Sequence, residues 1–181
     1  MTNNSPVTLC FIGAGNMASS LIGGLVSNRY PGQKIIAHDL DKTKLQHLQD
    51  TFSIRTEMDS AAAVAEADII ILAVKPQVMQ LVCKSLAQSL ENLQHKPLFI
   101  SIAAGIRETD INRWLGGGNA VVRCMPNTPA LVNLGASALF ANSAVSQTQK
   151  QHAEQILQSA GITVWVEVET QLDAVTAISG S

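Results

Sequence analysis

Val7-Thr-Leu-Cys-Phe-Ile-Gly13-Ala-Gly15-Asn-Met-Ala18, running on into Ser-Ser-Leu-Ile-Gly-Gly-Leu25, decides the fold. An apolar run ends in glycines, and a helical pattern rich in small residues follows. The order reads as a strand, a tight turn and a helix whose N-terminus faces an anion. Gly13 permits the turn, Gly15 lets the backbone approach a diphosphate, and Ala18 keeps the helix close to the strand. Exposed N–H groups and the positive end of the helix dipole favour negative charge there. A Gly-x-Gly-x-x-Ala match also describes a glycine turn with no ligand. The strand before it and the helix after it point instead to a dinucleotide.

Outward from that stretch, strands and helices alternate. Residues 7–13 read as the first strand and 15–28 as the first helix, with Pro31-Gly32 marking the turn. Lys34 to Asp39 is the second strand. Asp41 caps a helix to Phe52, Ser53 to Thr56 is a short third strand, and Ser60 caps an alanine-rich helix to Ala67. Asp68 to Val74 is the fourth strand, and Pro76 opens a long helix to about Leu93. Further strands are expected over Pro97 to Ala103, Asn119 to Met125, Ala136 to Ala141 and Ile162 to Val168, with helices over Glu108 to Leu115 and Ser146 to Ala160. The alternation in the last strand suits an edge position. Thr170-Gln-Leu-Asp173 resembles a capping box opening one more helix. The fold class is therefore α/β: a doubly wound, mostly parallel sheet with helices on both faces. Residues 1–168 form the sheet domain, and 169–181 begin a second, all-helical one.

In such sheets ligands sit beyond the carboxyl ends of the strands. Asp39 ends the second strand, 24 positions after Gly15. An acid there bonds ribose hydroxyls and favours NAD, or else it is only a turn residue. His38, Lys42 and Lys44 stand beside it and could meet a 2′-phosphate, so NAD and NADP both stay open. Ala73-Val-Lys-Pro76 follows the fourth strand, where backbone contact with a cofactor is expected. Lys75 either turns toward a phosphate or carboxylate or is solvated, because a cation is disfavoured at a helix N-terminus. Ser101-Ile-Ala-Ala-Gly105 offers small groups that leave room for a flat ring or a sugar, or else a close-packed turn. In Met125-Pro-Asn-Thr-Pro129 two prolines hold Asn127 and Thr128 in place, for a ligand or for a self-bonded turn.

Composition narrows the field. The 181 residues are 46% hydrophobic but only 4% aromatic, so the core is aliphatic. A net charge of -2 without a Lys/Arg block argues against nucleic acid or an anionic membrane as partner. The longest clear apolar run, Ile69 to Val74, is too short to span a bilayer, and a cytoplasmic protein is expected. Cys10, Cys83 and Cys124 read as reduced core thiols, and His38, His47, His95 and His152 as scattered surface residues, with no metal-ligand spacing. No nucleophile–base set is visible. Hydride transfer needs least from side chains, since a cofactor carries the hydride and the protein positions it.

Phe11 to Ala18 with Gly24-Leu25, Ala73 to Pro76, Ser101 to Gly105, Met125 to Pro129 and the terminal Ile178-Ser-Gly-Ser181, in this order, resemble the pyrroline-5-carboxylate reductase family across essentially the whole chain. The first motif is shared by many dehydrogenases; Met-Pro-Asn-Thr-Pro with Ser-Gly-Ser is far more specific. The resemblance implies reduction of 1-pyrroline-5-carboxylate to L-proline by NADPH or NADH. It implies cofactor contacts at Ile12, Gly13, Ala14, Gly15, Asn16, Met17 and Ala18, at Asp39 and Ser60, at Ala73, Val74, Lys75 and Pro76, and at Ala103, Ala104, Gly105 and Asn127. Lys75, Asn127 and Thr128 are the weak candidates for a catalytic role, and no metal is implied.

Two departures matter. Asp39 stands where NADP-preferring relatives would avoid an acid. The chain also stops at Ser181, where the family continues with Gly-Pro-Ala-Tyr into a helical domain that dimerises and completes the substrate pocket. The expectation is a cofactor-binding fragment, inactive and monomeric alone. The alternatives are a hydroxy-acid or phosphogluconate-type dehydrogenase domain and a non-catalytic nucleotide-binding module.

Overall fold

A computed structural model describes residues 6–91, 93–126 and 135–172. Asn127, Thr128, Pro129 and the terminal Ile178-Ser-Gly-Ser181 lie outside the described residues.

Eight strands form one sheet: β1 (Leu9–Ile12), β2 (Ile35–His38), β3 (Arg55–Glu57), β4 (Ile69–Leu72), β5 (Leu98–Ser101), β6 (Ala120–Pro126), β7 (Gly135–Ala141) and β8 (Gly161–Trp165). Their spatial order is β3-β2-β1-β4-β5-β6-β7-β8. Among the described residues, six α-helices lie between the strands: α1 (Asn16–Ser27), α2 (Lys42–Phe52), α3 (Ser60–Val64), α4 (Pro76–Leu90), α5 (Glu108–Trp114) and α6 (Gln147–Leu157). The expected doubly wound, mostly parallel sheet is present. Among the described residues, no helix is long and apolar enough to cross a membrane.

The continuous apolar runs follow from the two-sided cover. Successive strand residues point to opposite faces, and here both faces are buried. Leu9 and Phe11 of β1 join one core with α1, α2 and α6; Cys10 and Ile12 join the other with α3, α4 and α5. β4 divides the same way, Ile69 and Ile71 against Ile70 and Leu72. Each leucine or isoleucine so buried contributes about 1.5–3 kcal/mol. Leu9 pairs with both Ile35 and Ile69, which brings the ends of β2 and β4 to either side of β1. The three cysteines are buried and unpaired, and burial pushes their thiols up to about 12.

Several boundaries differ from the expectations. Asp59, not Ser60, caps α3: its carboxylate accepts from the Ala61 and Ala62 N–H groups at 2.8 and 3.3 Å. Ser60 is the first helical residue, and the helix ends at Val64 rather than Ala67. β7 runs antiparallel to β6. Only residues 127–134 separate the two, fewer than the roughly dozen that a parallel crossover needs. β8 is an edge strand with alternating burial, as expected, but it ends at Trp165. His38 is buried in β2, with Nδ1 3.1 Å from the Glu57 carbonyl, rather than solvated. After β8, the Val168 N–H donates to Gln171 Oε1 at 3.2 Å, so the next helical turn opens before Thr170; Asp173 lies outside the described residues.

The polar side of the interior is concentrated at β6. Arg123 is 3% exposed, and its guanidinium meets Glu169 Oε1 at 2.8 Å. The same oxygen accepts the Glu108 N–H at the start of α5 at 2.6 Å. Glu108 in turn accepts from Asn142, which also bonds the backbone of Asn119 and Val121. Breaking a buried ion pair costs more than removing it whole. Glu169→Gln is expected to lower the unfolding free energy by about 3 kcal/mol, and adding Arg123→Met to recover part of the loss. Urea unfolding of the wild type, both single variants and the double variant measures this; purely additive losses would show that the two groups are not coupled.

Candidate functional site

Strand order reverses between β1 and β4, and the chain leaves both strands in opposite directions. That places a crevice beyond their carboxyl ends, where doubly wound sheets take ligands. Gly13 sits at its floor. Its N–H donates to the His38 carbonyl at 2.8 Å, and the Ala73 N–H donates to the Ile12 carbonyl at 2.8 Å. Gly13 has φ +107°, and a Cβ there would lie 2.6 Å from the Ala73 carbonyl oxygen. Glycine is thus required twice over, by the backbone angle and by the closeness of β4.

Beyond Gly13 the turn opens. A Cβ on Gly15 would meet nothing within 4 Å. Gly15 is the N-cap of α1, makes no side-chain cap, and no acidic residue occupies the first turn. The first N–H groups of α1 are therefore presented to the crevice; α2, α3 and α6 satisfy theirs with the side chain of the cap residue, and α4 and α5 do not. α2 and α3 are different, since Asp41 and Asp59 cap them. This cradle fits a diphosphate: open space, unused donors and the positive end of a helix of twelve residues.

Asp39 lies just past β2. Oδ2 accepts the Ala14 N–H at 2.8 Å, and Oδ1 accepts the Asp41 N–H at 2.9 Å. Burial raises the carboxyl's pKa, but the N–H groups of Ala14, Asp41 and Leu40 and the Lys44 ammonium outweigh it, and the group titrates below its ordinary 3.8. With three backbone N–H groups on its two oxygens, the carboxylate keeps acceptor capacity for a hydroxyl donor.

A cavity of about 530 Å³ occupies the crevice. Of the residues singled out in the sequence, Ile12, Gly13, Gly15, Asp39, Ser60, Ala73, Val74 and Lys75 line it. Ala14 and Ala18 are buried behind it, and Met17 packs partly against the core. Asn16 begins α1, and Pro76 begins α4. Lys75 is exposed at the N-cap of α4 and makes no ion pair with another described residue. Ala103 is buried in the second core, Ala104 and Gly105 are exposed, and none of the three forms part of this cavity wall. Asn127 and Thr128 lie outside the described residues.

The sequence reading missed the apolar wall. Leu40, Met58, Val78, Leu81 and Val82 also line the cavity, and Leu40 and Leu81 are 82% and 73% exposed. A signal was available. Met79, Cys83 and Leu86 already supply the core stripe of α4, and Val82 packs at its border, so the exposed Val78 and Leu81 carry the apolar face beyond what the core uses. The arrangement joins an anion-ready helix end, a fixed carboxylate and an apolar surface suited to a flat ring.

Residues 8–105, more than half of the chain, match the protein-family model described as "NADP oxidoreductase coenzyme F420-dependent". The chain belongs to that family of NAD(P)-binding oxidoreductases, and within it to the N-terminal NAD(P)-binding domains of the pyrroline-5-carboxylate reductases. It is 49% identical over 173 residues to the pyrroline-5-carboxylate reductase of Pseudomonas aeruginosa, covering 96% of this chain and 62% of that protein. It superposes on a pyrroline-5-carboxylate reductase from Coxiella burnetii with a TM-score of 0.93 at 36% identity, over 97% of this chain and 64% of that one. The Plasmodium falciparum pyrroline carboxylate reductase with NADP bound gives a TM-score of 0.82 at 28% identity, over 96% and 62%. The chain thus spans less than two thirds of the length of these relatives.

Two tests address the turn itself. Gly13→Ala is expected to destabilise the fold by about 2–3 kcal/mol, from strain at positive φ and displacement of the β4 end. A variant with unchanged thermal and urea midpoints would remove the tight-junction account. Asp39→Asn is expected to be less stable than the wild type at neutral pH. Because the native carboxyl titrates below 3.8, its contribution is complete above that value and is lost as pH falls through the lowered native one. The stability difference between the two proteins, followed from neutral to acid pH, should close on acidification. A difference independent of pH would mean that charge on Asp39 does not contribute.

Proposed function

We propose that this chain is the cofactor-binding part of an enzyme that reduces 1-pyrroline-5-carboxylate to L-proline with NADH or NADPH. The observation that carries this reading is the uncapped, open N-terminus of α1 in the switch-point crevice of a chain 49% identical to a pyrroline-5-carboxylate reductase. When bound, the reduced nicotinamide supplies a hydride to the carbon of the substrate's C=N bond, and a proton completes the secondary amine at nitrogen.

The chain's own part is to bind and orient. The stretch Gly13 to Ala18 holds the diphosphate, Gly13 and Ala14 as its tied floor and the N–H groups from Gly15 onward as donors. Asp39 accepts hydroxyls of the adenosine ribose, and Ser60 stands at the adenosine end. Ala73, Val74, Lys75 and Pro76 line the approach to the nicotinamide. Ala103, Ala104 and Gly105 stand on its far side, while Asn127 and Thr128 meet the nicotinamide or the substrate. None of these groups need be an acid, a base or a nucleophile, because proximity and orientation supply most of what hydride transfer requires.

Residues 1–168 are read as the dinucleotide-binding domain and 169–181 as the beginning of a helical domain that completes the substrate pocket and dimerises. The full protein is then a cytoplasmic homodimer or higher oligomer acting on a small cyclic imine, and the 181-residue chain is a monomer without turnover. Titration of the purified chain with reduced dinucleotide, read by nicotinamide fluorescence, is expected to show one site per chain. Proline formation from the imine is expected only with the longer protein. Turnover by the 181 residues alone would sink the fragment reading, and absence of dinucleotide binding would sink the cofactor reading.

A further inference from the structure

We propose that Glu169 is a positioning residue for the nicotinamide end of the cofactor. The inference rests on the cofactor reading above, in which Ala103, Ala104 and Gly105 stand beside the nicotinamide, and it concerns what holds their loop.

That loop is residues 102–107. It leaves β5 after Ser101 and enters α5 at Glu108. Its first end is tied to the sheet, where the Ile102 N–H donates to the Leu72 carbonyl at 3.3 Å. Ala103 is buried, but Ala104 and Gly105 are exposed. Gly105 has φ +74°, and a Cβ there would meet nothing within 4 Å. Packing therefore does not fix the outer half of the loop, and its second end must.

The second end is α5, which does not close its own N-terminus. Arg107 stands at the N-cap position and makes no side-chain cap. The acceptor comes from beyond β8 instead. Glu169 Oε1 takes the Glu108 N–H at 2.6 Å, across 61 positions of sequence. The same oxygen takes the Arg123 guanidinium at 2.8 Å. Arg123 is buried on β6, in register with Ser101, the last residue of β5. One carboxylate oxygen thus joins the helix that the loop enters to the strand beside the one it leaves. Hydrogen bonds to an ionised acceptor are about twice as strong as neutral ones.

Both partners of that bond are themselves held. The Leu172 N–H donates to the Glu169 carbonyl at 3.0 Å, and Leu172 is buried. The Glu108 carboxylate accepts from Asn142 Nδ2 at 2.7 Å. Glu169 forms no part of the cavity wall, so it acts through the loop and not on the cofactor. Groups that must be aimed precisely depend on what fixes their backbone. Without Glu169 the start of α5 is released and Ala103 to Gly105 shift. The diphosphate cradle and Asp39 stay, because β1, β2 and β4 anchor them. The two ends of the cofactor are supported separately, the adenosine end by strand ends and the nicotinamide end by a carboxylate that follows β8.

ADP-ribose, which carries the adenosine and the diphosphate but no nicotinamide, separates the two ends. The 181-residue chain is titrated with NADH by fluorescence and with ADP-ribose by calorimetry. The wild type is expected to bind NADH about tenfold more tightly than ADP-ribose. Glu169→Ala is expected to lose most of that preference while its ADP-ribose affinity stays within about twofold of wild type. Glu169→Gln, whose amide oxygen can still accept the Glu108 N–H, should keep part of it. Ile156→Ala weakens the core on α6, away from the loop, and should leave the ratio unchanged, so a general loss of stability does not imitate the effect. Should Glu169→Ala unfold, the double variant with Arg123→Met leaves no unpaired buried charge and carries the same test, with thermal midpoints reporting folding. No preference for NADH in the wild type, an unchanged preference in a folded variant lacking Glu169, or equal losses for both ligands overturns the proposal. Failure to bind either ligand instead removes the cofactor reading it rests on.

Discussion

Three strand ends meet at Gly13, and the rest of the site depends on how closely they meet. The glycine's N–H reaches the last carbonyl of β2, and its α-carbon faces the Ala73 carbonyl just past β4 with no room for a methyl. Asp39 adds a side-chain bond across the same junction, to the next N–H of the turn. The turn is therefore held from both sides before any ligand arrives. Its far half, from Gly15 onward, is held by nothing but α1. A rigid floor and an open lip are what a backbone anion site requires, because donors must be aimed in advance and left unused. The cost is that the floor tolerates no side chain.

The sheet makes that junction possible by being covered on both faces. β1 and β4 are central, their alternate residues sorted into two aliphatic cores, so their ends are fixed by burial rather than by loop contacts. Away from the centre the cover changes character. At β6 the interior admits a guanidinium, and Glu169, Glu108 and Asn142 satisfy polar groups from α5, β6 and the segments after β7 and β8. No buried side-chain nitrogen or oxygen among the described residues is left without a partner. The aliphatic half positions the cleft, and the polar half ties down the segment by which the chain leaves the sheet.

Most of the architecture was legible because burial on both faces writes itself as uninterrupted apolar runs, and because glycine, proline and aspartate punctuate them. Asp41 was a readable cap, and Ser146, where a helix was expected to start, closes a capping box with Gln149. Ser60 misled because Asp59 precedes it; either residue can cap, and the neighbour with the stronger acceptor won. The antiparallel β7 was hidden until the strand ends were known, since the shortness of 127–134 is what forbids a crossover helix. In the site, the glycines and Asp39 could be read by type and spacing. Leu40, Met58 and Leu81 could not be read by type, because an exposed leucine is common on any surface. Their meaning comes from facing one cavity, which is a property of the fold. His38 was misjudged for the opposite reason: a polar residue at a strand end looks solvated until the carbonyl of the neighbouring strand is placed against it.

The distribution of acidic caps carries the last step. Aspartates before α2 and α3 stabilise those helices by about 1 kcal/mol each, and an equivalent residue before α1 would do the same for a helix twelve residues long. The sequence places glycine there instead, on the helix with the most buried contacts in its own half of the fold. α1 can forgo a cap because Leu21, Ile22 and Leu25 anchor it in the core. α2 and α3 are shorter, bury only two residues each, and depend more on their ends. Local stability and ligand chemistry therefore lead to the same arrangement. Among the helices that follow β1, β2 and β3, the one that packing secures keeps its N-terminus open, and the two that bury less are closed by their own carboxylates.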